Sequence, residues 1–352
     1  MALQHPRFPR PLRVDIAEGY RDEVAAQPLL RAFRRNVVLI TAVAAVTVFL
    51  SHGLDPLQVV LVWAAAVAAT LNEASYRKRL LAIAAQSGWL RPDPADVSDP
   101  DTPQAAIGLL TQNPAPRFPW MFLAATLAPI AVTAALVAAR WDEIPQSVPI
   151  HWGEGLEPDA FAEKSLPVVF AGIIFALLTV AFMMLLVAVF THAVRTPMPH
   201  QDVATRLRMR RYVSATNQGF AVLMLLMGPG LALLQLIGIV PQFQHLTTAA
   251  FIFFILSTVF GSLAIIVPLA GVEDRIKKQL RDAGLPTTSN SELPAEHYKW
   301  GMFYVNAQDP AILVDKRFGI GIDFNYAHWH GKSLLALTVL FMVALLIFVL
   351  WI

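Results

Sequence analysis

The 352-residue chain contains no cysteine, which excludes disulfides, thiol catalysis and cysteine-ligated metal. Charge is scarce as well. Asp, Glu, Lys and Arg make up 15% of the residues while hydrophobic residues reach 56%, whereas ordinary soluble domains carry about 25% charge. The deficit is concentrated in seven apolar runs that contain no Asp, Glu, Lys or Arg. Ion-coupled pumps, proton relays and intramembrane proteases generally need ionisable groups at depth, so their absence argues against those classes. A formal net charge of +2 is too small for a nucleic-acid surface, and no direct nucleic-acid contact is expected. Residues 1–35 hold seven Arg, four acids and several Pro, with no apolar core beside a small-residue cleavage site. They read as a basic, mobile tail rather than a signal peptide.

What is present is apolar length. Crossing a hydrocarbon core takes about 20 mostly apolar residues, and the runs 36–54, 56–72, 119–139, 166–191, 218–240, 248–269 and 333–352 qualify. The expected fold is an all-α membrane protein, a polytopic bundle of seven transmembrane helices with a small cytoplasmic α+β element. Of 27 Lys and Arg, 25 lie in the N-terminal tail or in every second gap between runs, and only Arg140 and Lys164 lie in the others. Cytoplasmic loops gather Lys and Arg, so the N-terminus is expected inside and the C-terminus outside. The expected organisation is a cytoplasmic tail over 1–35, a six-helix membrane region over 36–269 with an outer loop at 140–165, a cytoplasmic domain over 270–332 and a seventh helix over 333–352. Ala-rich runs and Arg-heavy loops suggest a bacterium, and hence its cytoplasmic membrane.

The first two runs are joined by a tight turn at His52-Gly53-Leu54-Asp55 and should form a helical hairpin. Tyr76-Arg77-Lys78-Arg79 closes the second run, 80–90 reads as a helix along the membrane face, and the Pro- and Asp-rich stretch 91–101 reads as an extended tether. Thr126, Thr179, Gln235, Ser257 and Ser262 supply the polar atoms within the runs and are expected to make interhelical hydrogen bonds. Gly228-Pro229-Gly230 should kink or unwind the fifth span, since Pro removes a backbone hydrogen bond. Such a break can mark a transporter's substrate site, or be a kink tolerated by packing.

The outer loop carries six acids and two bases between Arg140 and Lys164. Pro145 and Pro149 hold the preceding residues extended, Gly153 and Gly155 permit positive φ, and Pro158-Asp159 suggests a turn, so the loop should be shaped. Trp141, Trp152 and Phe161 suit the headgroup level. His151 shares its side with His52, His245 and several acids, but no ligand spacing appears, and neither metal nor cofactor is expected. His151-Trp152 reads instead as a pair that fixes the loop by hydrogen bonding and stacking, or that recognises a ligand. Asp159 and Lys164 are expected to pair or to cap the fourth span.

The run Ile144-Pro145-x-x-Val148-Pro149-x-His151-Trp152, followed by Gly155-x-x-Pro158-Asp159 and by Lys164 at the head of a span, resembles the extracytoplasmic loop of SdpI-type bacterial membrane proteins. That group includes immunity proteins against a secreted killing toxin. In them the motif follows the first span; here it follows the third. A second stretch holds Trp300, Gly301, Phe303, Tyr304, Asn306, Asp309, Pro310, Lys316, Arg317, Gly319 and Gly321. It resembles a short C-terminal domain of unknown function found in one branch of these proteins.

Read as residues alone, 302–305 and 311–314 are two short strands around an Asn306-Ala-Gln-Asp-Pro310 turn, a small hairpin against the inner membrane face. Gly319-x-Gly321 lacks the following helix that a phosphate site needs. His328-Trp329-His330 reads as an interfacial anchor rather than a copper or heme site. Arg206, Arg208, Arg210 and Arg211 are expected on a surface helix, and 273–281, with Lys277, Lys278 and Arg281, on another near anionic headgroups.

These features favour a membrane protein that senses or resists an envelope-acting peptide or stress. Its expected partners are the lipid bilayer, an extracytoplasmic peptide or envelope ligand and a cytoplasmic regulatory protein, with a homo-oligomer left open. The alternative is a small-molecule or lipid transporter or flippase without ion coupling. A lipid enzyme would have only His151 with Glu154 or Asp159 to work with, and no enzyme is expected.

Overall fold

The computed structural model describes residues 12, 14, 16, 17, 20, 26–91, 102–196, 202–287, 294–300, 302–316 and 321–351. Its helices are α1 (Gln27–Leu50), α2 (Asp55–Gln86), α3 (Gln104–Gln112), α4 (Trp120–Ala139), a single turn α5 (Leu166–Val169), α6 (Ala171–Arg195), α7 (Val203–Ile239), α8 (Thr247–Leu269), α9 (Val272–Asp282) and α10 (Trp329–Trp351). Strands β1 (Ser147–Trp152) and β2 (Pro158–Glu163) form one antiparallel hairpin. Further on, β3 (Tyr298–Lys299) pairs with β4 (Phe303–Tyr304) and β5 (Leu313–Asp315) with β6 (Ile322–Phe324).

Among the described residues, six stretches are long and apolar enough to cross a membrane: α1, α2, α4, α6, α7 and Pro241–Asp282, whose apolar part is α8. The seventh expected run lies in α10, whose apolar stretch Trp329–Ala344 is shorter than the other six.

Helix α7 runs along the centre of the bundle, packed by α4, α6 and α8. The local unwinding expected at Gly228-Pro229-Gly230 does not occur, and the helix is continuous from Val203 to Ile239 with Pro229 inside it. The small residues serve contact instead. A Cβ on Gly228 would press on Thr126 of α4 and Val180 of α6, and one on Gly230 on Phe254 of α8. Neighbouring helices at that level leave no room for an opened turn. Gly219 and Gly261 continue the seam, bringing α7 and α8 together at backbone distance.

Polar atoms in the spans mostly turn inward on their own helices. Thr126, Thr179 and Ser262 donate to the carbonyls four residues back, Phe122, Phe175 and Thr258. This corrects the expected interhelical role for those three, because the hydroxyl of a short side chain reaches its own preceding turn first. Gln235 does bridge, donating to Val169 O at 2.8 Å and accepting from Gly172 N at 3.0 Å, which satisfies the backbone where α5 gives way to α6. Trp63 of α2 likewise donates to Leu225 O of α7 at 2.8 Å, and Asn217 of α7 to Thr191 of α6 at 2.7 Å.

The helical hairpin of α1 and α2 forms as expected around Gly53, which has φ 87°. Two other expectations change here. Helix α2 passes straight through Tyr76–Arg79 to Gln86, so 80–86 is not a separate surface helix. The N-terminal segment is also not free at its described positions. Leu12, Val14 and Ile16 are buried with Leu80, Ala84 and Trp89, and Ala17 N donates to Trp89 O at 2.8 Å. An apolar residue at every second position (Leu12, Val14, Ile16) gives this segment a face to bury. The tether at 92–101 lies outside the described residues.

At the basic end, the expected surface helix over 206–211 is the opening of α7 itself, started by Asp202, whose side chain accepts from Thr205 N at 2.7 Å. Arg208 and Arg210 are buried. Arg208 donates to Glu273 of α9 at 3.1 Å and to Asp315 of β5 at 3.2 Å, joining three elements, while Arg210 reaches the carbonyls of Leu110 and Asn113. Burial, partly offset by Arg208, pushes the Asp315 carboxyl above its ordinary range.

Candidate functional site

The β1–β2 hairpin is built on a buried base. Ile144 and Val148 belong to the main core with Val169, Ile239 and Val240, each such burial being worth about 1.5–3 kcal/mol. Pro149 is buried and Pro145 half-buried, and both keep the chain extended into the strand. The two bases that break the charge alternation act here. Arg140 pairs with the buried Asp55 at the start of α2, lies over the Phe243 ring and also meets Glu143. Chiefly because of the hydrogen bond to Asp55, its guanidinium is held above its ordinary value. Lys164 donates to Trp141 O at 2.6 Å and Ile144 O at 2.9 Å and sits over the Trp141 ring.

Lys164 therefore neither pairs with Asp159 nor caps the fourth span. Its ammonium donates to two loop carbonyls outside the ladder, of which Trp141 O also accepts from Ile144 N.

Strand register explains where His151 goes. Pro149 faces Phe161, but His151 faces Ala160 and Trp152 faces Pro158, so the ladder is irregular on both sides of His151. Such irregularity re-aims a side chain. His151 Nδ1 lies 2.5 Å from Asp159 Oδ1, and both side chains are exposed, at 68% and 53%. Trp152 points the other way, its ring against Gly238 at the end of α7, where a Cβ would stand 2.7 Å from Cζ2, and edge-on to Phe251. The expected joint role of His151 and Trp152 thus divides. Trp152 fastens the hairpin to the bundle, and His151 with Asp159 stands free of it.

Glycine geometry at the tip also differs from expectation at one position. Gly155 has φ 78°, but Gly153 has φ −85° and is needed instead for space, since a Cβ there would collide with the Asp159 carboxylate. Pro158, Gly155, Glu154 and Glu157 are exposed around the pair, giving an acidic rim with one imidazole. Among the described residues, no group of three or more His, Asp or Glu side chains is placed to hold a metal ion.

The second motif also departs from the single hairpin expected. Strand 302–305 does not pair with 311–314; β4 pairs with β3, and β5 with β6. The residue that unites them is Asn325, fully buried. Its side chain donates to Asn306 O and Asp309 O and accepts from Asn306 N and Ala327 N. Asn306 turns its own amide oxygen to Gln308 N, and Asp309 accepts from Ala311 N and Tyr304 Oη. His328 reaches Asp309 O at 2.7 Å. Burial pushes the Tyr304 hydroxyl up to about 12, and burial with Asp323 raises Tyr326 as well.

Phe303 is half-buried; Trp300, Pro310 and Lys316 are exposed, and Gly321 has φ 123°. Gly301, Arg317 and Gly319 lie outside the described residues. Among the described residues, the Asn325, Asn306, Asp309 and Tyr304 side chains hold the element together. His330, expected as an interfacial anchor, is buried and lies 2.9 Å from His192 Nδ1 of α6.

Asn325, Arg208, Glu273, Asp315 and Gly238 carry weight that no spacing revealed. Each acts across a long sequence separation, and only the presence of Arg within an otherwise helical apolar frame could have pointed to Arg208.

The helices and their composition are those of a polytopic, membrane-spanning helical protein. Two family models match parts of it: a domain of unknown function, DUF1648, over residues 129–187, and a family of unknown function, DUF5808, over residues 307–332. The first covers the later part of α4, the β1–β2 hairpin and most of α6; the second covers Asp309, β5–β6, Asn325 and the entry to α10. No curated protein and no solved structure matches the chain.

Proposed function

We propose that this chain is a bacterial cytoplasmic-membrane protein that senses or resists an envelope-acting peptide or stress, with the β1–β2 hairpin as its recognition surface. The observation that carries this reading is the division of labour in the hairpin. Arg140, Val148 and Trp152 fix it to the bundle and Lys164 ties its base together, leaving the His151–Asp159 pair, which joins the two strands, exposed to solvent on a rigid support. Loop residues held rigidly and turned outward are typical of binding surfaces. An acidic rim with one imidazole suits a cationic peptide. The resemblance to the SdpI-type outer loop favours the same reading.

In this reading α10 is a seventh crossing. Phe341 stacks on Phe182 of α6 at 4.1 Å, and Leu335, Val339, Leu340, Leu346 and Ile347 are exposed on α10, as a lipid-facing surface requires. The basic end, with α3, α9 and β3–β6, then faces the cytoplasm by the distribution of Lys and Arg. It could meet a regulatory protein there. The transporter alternative loses one of its motives, an unwound fifth span, since α7 is continuous through Pro229.

A strain lacking the gene should be sensitive to one or more secreted antimicrobial peptides or envelope stresses. Wild-type protein should restore growth and the His151→Ala/Asp159→Ala protein, present at equal membrane level, should not. Equal rescue, or no sensitivity across the panel, would contradict the reading.

A further inference from the structure

The β3–β4 hairpin ends in two large apolar side chains that the described residues leave exposed. Trp300 is 87% exposed and Met302 58% exposed. Trp300 also has φ 52°, a left-handed conformation that bulky residues rarely adopt. That φ belongs to the turn between the paired residues Lys299 and Phe303, but the turn does not call for an exposed aromatic, which neither core packing nor solubility explains.

The position of the hairpin says what covers it. The Trp300 ring meets Phe303 edge-on at 5.9 Å, and Phe303 meets Tyr326 edge-on at 5.2 Å. Tyr326 N donates to Tyr304 O at 2.8 Å, tying the hairpin to the segment that enters α10 three residues later. Trp329, the first residue of α10, is itself 56% exposed. An aromatic row thus runs from the tip to the mouth of an apolar helix. Lys299 beside Trp300 and Lys332 one turn into α10 are exposed.

Tryptophan settles at the level of lipid headgroups, and lysines placed there are drawn to anionic lipid. We propose that Trp300 and Met302 seat the β3–β4 hairpin in the headgroup layer of an anionic bilayer. The Asn325 assembly joins that hairpin to β5–β6, so this contact sets the height of the whole element over the membrane. The proposal needs only the entry of α10 into a bilayer. It holds whichever side the basic end faces, and it does not depend on recognition by the β1–β2 hairpin.

Because the chain has no cysteine, Met302→Cys accepts a single nitroxide. The labelled full-length protein is reconstituted in nanodiscs of phosphatidylcholine and phosphatidylglycerol, and its collisions with oxygen and with a water-soluble nickel chelate are measured by power saturation. Gln308→Cys, at an exposed turn of the same element, gives the aqueous reference. Nickel collisions at 302 should be several-fold lower than at 308, with oxygen collisions higher. Adding Trp300→Ser, in protein with an unchanged thermal transition, should return the 302 label toward the 308 value. A 302 label as open to nickel as 308 with Trp300 intact would overturn the proposal and leave a protein as the occupant. So would a depth unchanged by Trp300→Ser.

Discussion

Arg140→Met should lower the unfolding stability of the detergent-solubilised protein by about 3 kcal/mol, the cost of leaving one member of a buried ion pair unpaired. The partner left behind is Asp55, buried at the start of α2, with a side chain only 6% exposed. Methionine keeps much of the contact with Phe243 but supplies no charge. Arg140→Lys should fall between, because an ammonium replaces the guanidinium fork at a longer reach. Adding Asp55→Asn to Arg140→Met should recover most of the loss, since the uncompensated charge is then gone. Thermal unfolding of the four proteins measures this. Equal midpoints for wild type and Arg140→Met would show that the pair does not hold the α1–α2 turn to the hairpin base.

A comparable loss is expected from Gly219→Leu, about 3 kcal/mol by overpacking. A Cβ at Gly219 would stand 2.6 Å from the Ile265 Cα and 2.9 Å from the Ala264 carbonyl oxygen. Backbone cannot turn aside as a side chain can, so α7 and α8 must separate along the largest interface in the bundle. Gly108 on α3 gives the control. It is helical and exposed with nothing near its Cβ, so Gly108→Ala should stabilise by about 0.5–1 kcal/mol through propensity alone. Thermal melts in one detergent read both, and an unaffected Gly219→Leu protein would refute the close seam.

Apolar length made much of the bundle legible in the sequence. Runs of about 20 residues without charge can do little else in water. The turn at Gly53 and the shaped loop over 140–165 were legible for a similar local reason. What failed was whatever depends on partners distant in the chain. Pro229 reads as a site of unwinding, yet its helix stays continuous where α4, α6 and α8 press on the flanking glycines. Arg208 reads as a surface base because the sequence does not show that Glu273 and Asp315 arrive beside it. Arg140 and Lys164 looked like exceptions to a charge rule, and each has a local partner: one meets Asp55, and the other donates to the Trp141 and Ile144 carbonyls. At the candidate site, the motif residues were found from order and spacing, but their roles were not. The ladder irregularity that separates His151 from Trp152 has no local signature.

The account rests most heavily on the β1–β2 hairpin facing the outside of the cell. The measurement that tests it most directly is labelling of intact cells with a membrane-impermeant maleimide. Glu154→Cys is placed at the exposed hairpin tip and Lys277→Cys on α9 at the opposite, basic end. The account predicts that Glu154→Cys is labelled in intact cells and Lys277→Cys only after the membrane is permeabilised. Labelling of Lys277→Cys alone in intact cells would turn the molecule over and contradict envelope recognition by the hairpin.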